Sequence, residues 1–211
     1  SPVMFLTLFA TFVLSYALGA VPFGYLVAKA KGVNIMEEGS KNPGATNVKR
    51  VVGKGAGNLV FVLDFLKGFL AVIFAGPIAG ILVDVPFGVF SGGEIDKVVA
   101  LVAAVLGHSF SVFLKFRGGK GVATAGGGMF VIMFEPSLIA IVAWVVVFYS
   151  TRYVSLASIA AAVEIMVAPW LMGFGLSLKI VATVLGLLVV IRHQANIKRL
   201  MAGTEHRWDR K

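Results

Sequence analysis

The chain has 211 residues, of which 58% are apolar and only 14% are charged, and its formal net charge is +9. Soluble domains have about 45–50% apolar and about 25% charged residues, so this composition excludes both an ordinary water-soluble protein and a disordered one. The absence of Cys excludes disulfides, Cys-based metal sites and thiol catalysis. The aromatic residues lie in aliphatic runs instead of among the basic residues, so no nucleic-acid partner is expected.

The apolar stretches predict an all-α membrane protein with about seven transmembrane helices. A helix needs roughly 20 apolar residues to cross the bilayer core, and the candidate segments are residues 4–28, 58–83, 98–114, 122–134, 137–149, 154–172 and 176–191. The first is longer than the apolar core of a signal peptide, so we interpret it as a retained span. The fourth and fifth are short, and a re-entrant pair that leaves five spans is the alternative.

The distribution of charge predicts the orientation of these spans. With the N-terminus outside, 16 of the 19 basic residues fall on one side, including Arg210 and Lys211, whereas Asp84 and Glu135 lie opposite. The positive-inside rule then places the C-terminus in the cytoplasm. We expect residues 1–211 to form a single domain with its active site on the cytoplasmic side.

Residues 38–50 form the first segment that could carry chemistry. Gly39 and Gly44 permit backbone conformations that expose N–H groups to an anion, and Arg50 can bind a phosphate with two hydrogen bonds. Short polar side chains accompany them, namely Ser40, Asn42, Thr46 and Asn47. The alternative is a turn with a helix cap, in which Asn42 is the N-cap and Pro43 the first helical residue.

The second segment, residues 115–128, resembles a phosphate loop that precedes a helix N-terminus. It is not a Walker A motif, because Leu114 stands where the first Gly is required and Gly121 where Ser or Thr would hold magnesium. This difference disfavours nucleotide hydrolysis. Lysine among glycines suits a small phosphate without a metal, and the residues concerned are Lys115, Gly118, Gly119, Lys120 and Gly121.

The third segment, residues 192–205, follows the last apolar stretch. If the helix continues, His193 and Asn196 share one face with Arg199. His193 is the His with a plausible proton to move, whereas His108 is expected to be a helix-packing residue.

Polar residues inside the predicted spans need partners, because an intramembrane charge costs roughly 2.5–3.5 kcal/mol. Asp64 and Lys67 are three residues apart and predict a local neutralising pair; the alternative is that Lys67 faces the site. Ser155 and Ser158 could reach a polar cavity, and helix packing through small residues is the alternative.

Together the three segments resemble the bacterial acyl-phosphate:glycerol-3-phosphate acyltransferase family. The matching motifs are Gly39-Ser-Lys-Asn-Pro-Gly-Ala-Thr-Asn47, Lys115-Phe-Arg-Gly-Gly-Lys-Gly-Val-Ala-Thr124 and Arg192-His-Gln-Ala-Asn-Ile-x-Arg-Leu-x-x-Gly-x-Glu205. The resemblance covers essentially the whole chain. One departure is Lys41, where the commonest form of the family has Gly, and it adds a cation near the expected phosphate site.

The resemblance implies a multi-pass enzyme of the bacterial inner membrane. It would transfer an acyl group from acyl phosphate, and not from CoA or acyl-carrier-protein thioesters, to the 1-hydroxyl of sn-glycerol 3-phosphate. The products are lysophosphatidic acid and phosphate, in the first step of phospholipid synthesis. Its partners are then both substrates and membrane lipids, with a functional link to the enzyme that makes acyl phosphate. A monomer without cofactor or metal is expected.

These expectations assign roles to individual residues. The acceptor phosphate is assigned to Lys120 and the glycine amides, with Arg50, Lys115 and Ser158. The catalytic set is Ser40, Asn47, His193 and Asn196, and the structural set is Gly44, Thr46 and Glu205. Two hypotheses for the proton stay open: His193 is the general base, or a donor phosphate oxygen takes the proton while His193 holds a substrate. A transporter or flippase for a small phosphorylated solute is the alternative from a different class.

Overall fold

The computed structural model describes residues 2–83 and 93–208, and these are helical apart from turns and one isolated bridge between Ser111 and Arg117. Asp84, Arg210 and Lys211, which entered the charge distribution, lie outside the described residues. The chain divides into two compact units, Ser1–Ile132 and Met133–Lys211. A single domain over residues 1–211 remains a prediction.

The first unit is built around one long helix. This helix, α4, packs against all the other α-helices of the unit, namely α1, α2, α3, α5 and α6. In chain order the elements are α1 (Pro2–Ala20), α2 (Phe23–Ala30), α3 (Ala45–Val51), α4 (Lys54–Leu82), α5 (Glu94–Ser109), a 3-10 helix (Val112–Leu114) and α6 (Val122–Ile132).

The second unit is a row of three apolar helices followed by a short amphipathic one. The middle helix of the row packs against both of its neighbours in sequence, and the short helix packs against the last two of the three. The elements are α7 (Phe134–Thr151), α8 (Val154–Leu171), α9 (Leu176–Arg192) and α10 (Gln194–Met201).

Within the described residues, four segments are long and apolar enough to cross a membrane: Pro2–Ala30, α4, α7 and α8. The pair α9 and α10, bent by 55°, brings the number to five if it is one span. Large apolar side chains point outward, as on Phe5 and Phe74, which are 73% and 52% exposed. Such surfaces suit lipid and not water, so the chain is a multi-pass membrane protein, and seven spans remain a prediction.

The ends of several predicted spans were wrong. The first, predicted at residues 4–28, is one candidate span at Pro2–Ala30, and it is interrupted at Pro22, which has no N–H to continue the helix. The third ends at Ser109, and the apolar residues that follow include the short 3-10 helix, in which Phe113 is 64% exposed. The fifth begins at Phe134 because Pro136 is tolerated in a first helical turn, and the helix reaches 18 residues.

Glycines allow α4 and α6 to approach within backbone contact. A Cβ atom at Gly68 of α4 would collide with the backbone of Thr124, and one at Gly127 of α6 would collide with the backbone of Phe65. Such reciprocal contacts are typical of membrane helix pairs, in which small residues permit close packing. Gly127 therefore packs helices and does not contribute to an anion loop.

We expect Gly127→Ala to destabilise the protein by about 1–3 kcal/mol, because the added methyl group has no space between the two backbones. The neighbouring Gly126→Ala is the matched control, since a Cβ there meets no described atom within 4 Å. That variant should be neutral or gain up to about 1 kcal/mol of helix propensity. Thermal unfolding in detergent compares the two, and equal melting temperatures would contradict the packing role.

Candidate active site

A single amide side chain holds the first loop together. Asn47, which is only 2% exposed, donates from Nδ2 to the carbonyl oxygens of Glu38 (3.0 Å) and Asn42 (2.9 Å). Its Oδ1 accepts from the backbone N–H of Ser40 at 3.0 Å. Both amide hydrogens are thus donated within the loop, and Asn47 holds the backbone on both sides of Ser40.

The same loop corrects the predicted helix cap. The N-cap of α3 is Gly44, two residues after Asn42, and the helix begins at Ala45. Asn42 Oδ1 instead accepts from the N–H of Gly44 at 2.9 Å, which forms a tight turn just before the helix. Ser40 is exposed beside this turn, and Thr46 lies in the first turn of the helix.

The second loop joins α5 to α6 and lies against the end of α5. The N–H of Gly119 donates to the carbonyl of His108 at 3.1 Å, so this amide is not directed at a ligand. Lys115 has the left-handed φ of 55° and is exposed, whereas Lys120 is half-buried directly before Gly121. Helix α6 starts at Val122, so the loop directly precedes a helix N-terminus, as expected.

A hydrogen bond joins the two loops. Asn42 Nδ2 donates to the carbonyl of Gly118 at 3.3 Å, across 76 residues of sequence. The first loop is also anchored at Pro43, whose carbonyl packs so closely on Gly24 that no Cβ would fit there. The structure thus brings the first and second predicted segments to one end of the first unit, and Arg50 lies half-buried in the last turn of α3.

The predicted intramembrane pair is confirmed. Lys67 Nζ lies 2.9 Å from Asp64 Oδ1, and both residues are only 2% exposed. The ammonium group also donates to the carbonyl of Val21 at 2.9 Å, at the break between α1 and α2. Lys67 is therefore held inside the helix bundle. His108, the expected packing residue, places Nδ1 3.6 Å from the same carboxylate oxygen.

In the second unit the expected continuous helix is interrupted at His193. Helices α9 and α10 meet there at a bend of 55°, and His193 ends one and caps the other. His193 is only 3% exposed, and its Nδ1 lies 2.7 Å from the carbonyl oxygen of Val189. Because a carbonyl only accepts, Nδ1 carries the hydrogen, and this hydrogen bond fixes the orientation of the ring.

Glu205 is the centre of a polar network after α10. Its Oε1 accepts from Asn196 Nδ2 at 2.8 Å and from Ser155 Oγ at 3.1 Å, and its Oε2 accepts from Arg199 Nε at 2.6 Å. Burial acts to raise the pKa of Glu205, but these hydrogen bonds and the charge of Arg199 outweigh it and hold the pKa below its ordinary value. The network joins the segment that follows α10, through Glu205, to α8 and α10.

Ser158 is engaged inside the second unit. Its hydroxyl donates to the carbonyl of Val154 at 2.9 Å and accepts from Trp144 Nε1 at 3.2 Å. Both contacts match the helix-packing alternative for this serine. Asn196, three residues after His193, donates from Nδ2 to Glu205 and so holds the segment that follows α10.

Sequence reasoning missed three connections in these regions: the bond from Asn42 to Gly118, the position of His108 between Asp64 and Gly119, and the bond from Ser155 to Glu205. Each joins residues far apart in sequence. A hint was available for His108, because a polar ring in an apolar helix requires a partner.

The fold and the polar loops define a class of protein, a helical multi-pass membrane protein whose polar groups gather at helix ends and breaks. A model of the glycerol-3-phosphate acyltransferase family matches residues 9–203. The glycerol-3-phosphate acyltransferase of Aquifex aeolicus (strain VF5) is 42% identical over 97% of this chain and 98% of its own. That of Salinibacter ruber (strain DSM 13855 / M31) is 44% identical, over 91% and 88%.

Solved structures give the same result. The chain matches crystal structures of PlsY, described as an integral membrane glycerol 3-phosphate acyltransferase, in a glycerol 3-phosphate form and a lysophosphatidic acid form. The TM-scores are 0.83 and 0.80, at 40% identity over 99% of this chain and 96% of each match. The chain therefore belongs to the glycerol-3-phosphate acyltransferase family.

We expect Asn47→Asp to destabilise the protein by about 1–3 kcal/mol, because a carboxylate oxygen would face two carbonyls that now accept hydrogen bonds. Thermal unfolding and limited proteolysis within residues 38–44 measure the effect. The control is Asn58→Asp, where an exposed side chain keeps its acceptor for Lys49 and should change stability by less than about 0.5 kcal/mol. Lost turnover with unchanged stability would instead support a direct catalytic role.

The lowered pKa of Glu205 predicts an acid-dependent stability. A carboxyl group with a folded pKa below its ordinary 4.5 stabilises the fold fully above that value, and this contribution is lost as pH falls through the folded pKa. Glu205→Gln should therefore cost about 1–2 kcal/mol at pH 7. The difference in melting temperature from wild type should shrink below about pH 4.5, and a constant difference down to pH 3 would refute the linkage.

Proposed function

We propose that the protein transfers a fatty acyl group from acyl phosphate to the 1-hydroxyl of sn-glycerol 3-phosphate. The products are 1-acyl-glycerol 3-phosphate, which is lysophosphatidic acid, and inorganic phosphate. Family membership supports the acceptor and the type of reaction, and the acyl-phosphate donor rests on the resemblance of the motifs. Nothing in the family assignment favours the alternative of a transporter.

The observation that carries the proposal is the linkage of the first and second loops in one unit. The bond from Asn42 to Gly118 places the loop that holds exposed Ser40 against the loop that holds Lys120. Exposed cations of the same two loops, Lys41 and Lys115, increase the positive potential there. A glycerol 3-phosphate form of a related structure is consistent with an acceptor phosphate in this environment.

We assign roles to the residues of these loops in line with this geometry. Lys120 and Arg50 bind the acceptor phosphate, with Lys115 at the edge of the loop. The amide of Gly119 is used on His108, so the loop contributes mainly through its side-chain cations and its fixed shape. Ser40 is the hydroxyl donor toward the acyl phosphate, and Asn47 fixes the backbone that carries it.

The donor's chemistry sets what the protein must supply. Acyl phosphate is a mixed anhydride, so phosphate leaves without the activation that an ester or amide needs. Aligning a hydroxyl with the carbonyl carbon can by itself lower the barrier by about 7–11 kcal/mol. Fixed donors and cations stabilise the charge that develops on the carbonyl oxygen and the leaving phosphate. A loop whose backbone is fixed by hydrogen bonds can both align the hydroxyl and stabilise the developing charge.

The proton of the attacking hydroxyl is assigned to a phosphate oxygen of the donor. In this proposal the imidazole of His193 holds a substrate, and the hydrogen bond from Nδ1 to the Val189 carbonyl fixes the orientation of the ring. The Nδ1 hydrogen of His193 is donated to a carbonyl, whereas a carboxylate at that position would raise the basicity of the ring in a general base. Asn196 fixes α10 through Glu205 in the same unit.

The finer membrane arrangement is part of the proposal. The chain crosses the bacterial inner membrane seven times, with its N-terminus outside and its C-terminus and active site on the cytoplasmic side. The acyl chain of the donor lies among the spans. A monomer carries out the reaction, without cofactor or metal, and depends on the enzyme that supplies acyl phosphate.

Phosphate release by the purified protein in detergent or lipid mesophase tests this function. Release should require both acyl phosphate and glycerol 3-phosphate, and mass spectrometry should find lysophosphatidic acid. Glycerol in place of glycerol 3-phosphate is the control for phosphate recognition, and acyl-CoA is the control for the donor. Release that does not depend on the acceptor would end the proposal.

His193→Gln in the same assay separates the two roles of the imidazole. A holding role predicts a KM about tenfold higher with turnover at saturation retained, because one hydrogen bond to substrate is weakened. A general base predicts a loss of turnover of about 10²–10⁴-fold at saturation. The second result would overturn the assignment of the proton to the donor phosphate.

A further inference from the structure

Three ionisable side chains form a buried row through the first unit. Lys67 lies 2.9 Å from Asp64 Oδ1, and His108 Nδ1 lies 3.6 Å from the same oxygen. The side chains of Asp64 and His108 are only 3% and 9% exposed. Lys67 also reaches the Val21 carbonyl and lies 5.6 Å from the ring centre of Phe23. The reaction proposed above uses none of them.

The far side of the His108 ring supports the glycine loop. A Cβ atom at Gly119 would collide with His108 Nε2, and one at Gly118 would collide with the carbonyl of His108. The Gly119 N–H donates to that carbonyl at 3.1 Å. The loop therefore rests on the imidazole through its Nε2 edge, while the Nδ1 edge faces Asp64. Glycines at 118 and 119 are needed for this close approach.

Charge neutrality alone does not account for His108. Lys67 and Asp64 already neutralise each other, and an apolar side chain at position 108 would fill the same space without a polar edge to satisfy. A carboxylate beside Nδ1 favours the hydrogen on that nitrogen and fixes the orientation of the ring. The Nε2 edge of the ring then faces the glycine loop in a single fixed orientation.

We propose that Asp64 and His108 are positioning residues for the acceptor-phosphate loop: Asp64 orients His108, and the Nε2 edge of His108 holds Gly118–Gly121 in its binding shape. The inference rests on the proposed function, because it concerns the same loop and the same acceptor. It predicts that loss of the Nε2 edge weakens the binding of glycerol 3-phosphate and leaves the binding of acyl phosphate unchanged.

Two amide variants separate the edges of the ring. The Gln amide reaches the position of Nε2, whereas the shorter Asn amide reaches only that of Nδ1. In His108→Asn, which loses the Nε2 edge, we expect the KM for glycerol 3-phosphate to rise about tenfold, and in His108→Gln, which keeps that edge but loses the contact of Nδ1 with Asp64, to rise about threefold. The KM for acyl phosphate should change in neither. Tyr16→Phe is the control, since it removes only a hydroxyl bonded to the Phe110 carbonyl at 2.7 Å.

The outcomes distinguish the competing explanations. If His108 only fills space in the core, both amide variants should lower the melting temperature and change the KM values of both substrates together. This result would overturn the inference. Equal KM values for glycerol 3-phosphate in both variants would also overturn it. A wild type without acceptor-dependent phosphate release would refute the proposed function itself, and this inference with it.

A double-mutant cycle tests whether Asp64 acts through His108. Asp64→Asn should raise the KM for glycerol 3-phosphate in the wild-type background and add little in His108→Asn, because the second variant has already lost the oriented edge. Independent, additive effects would show that Asp64 does not act through His108. If Asp64→Asn fails to fold because Lys67 is left unpaired, the Gln and Asn variants of His108 decide the proposal without it.

Discussion

The bilayer offers no water to backbone groups, and this constraint organises the first unit. Where a helix ends, its last carbonyls lose their partners and need a donor from elsewhere in the protein. At the end of α1, the carbonyl of Ala20 accepts from Ser111 Oγ at 2.6 Å and that of Val21 from Lys67 Nζ at 2.9 Å. One break in one helix is thus tied both to α4 and to the loop after α5.

The carbonyls of the first loop also need donors where they are buried, and side-chain amides supply them. An amide can donate and accept at once, so Asn42 accepts from Gly44 with Oδ1 and donates to Gly118 with Nδ2. Asn47 makes three such bonds from a nearly fully buried position. An ionised carboxylate could accept but not donate, and a hydroxyl has only one hydrogen, so it cannot donate to two carbonyls at once. The resulting loop is fixed before any substrate arrives, which limits the entropy lost on binding.

The sequence was sufficient for the membrane class, the order of the apolar helices and the local Asp64–Lys67 pair, because each depends on composition or on neighbours along one helix. It was insufficient wherever one residue type serves two purposes. Gly127 packs against α4, while Gly119 makes room for an imidazole, yet both belong to the same glycine-rich segment. The Asn47 amide could donate to a substrate, and only the structure shows that it forms hydrogen bonds with the backbone of its own loop. Helical spacing also did not predict the bend at His193.

The net charge of +9 takes on a specific meaning once the partners are known. Among the described residues, Asp64 is paired with Lys67 and Glu205 is paired with Arg199. The two joined loops are different, because they carry exposed cations beside backbone that is already fixed, including Lys41, Lys115 and Arg117. Positive charge on a fixed surface attracts phosphates without the cost of ordering that surface first. In the proposed reaction both substrates are phosphate esters or anhydrides, so one cationic surface can recruit the acceptor and stabilise the departing phosphate.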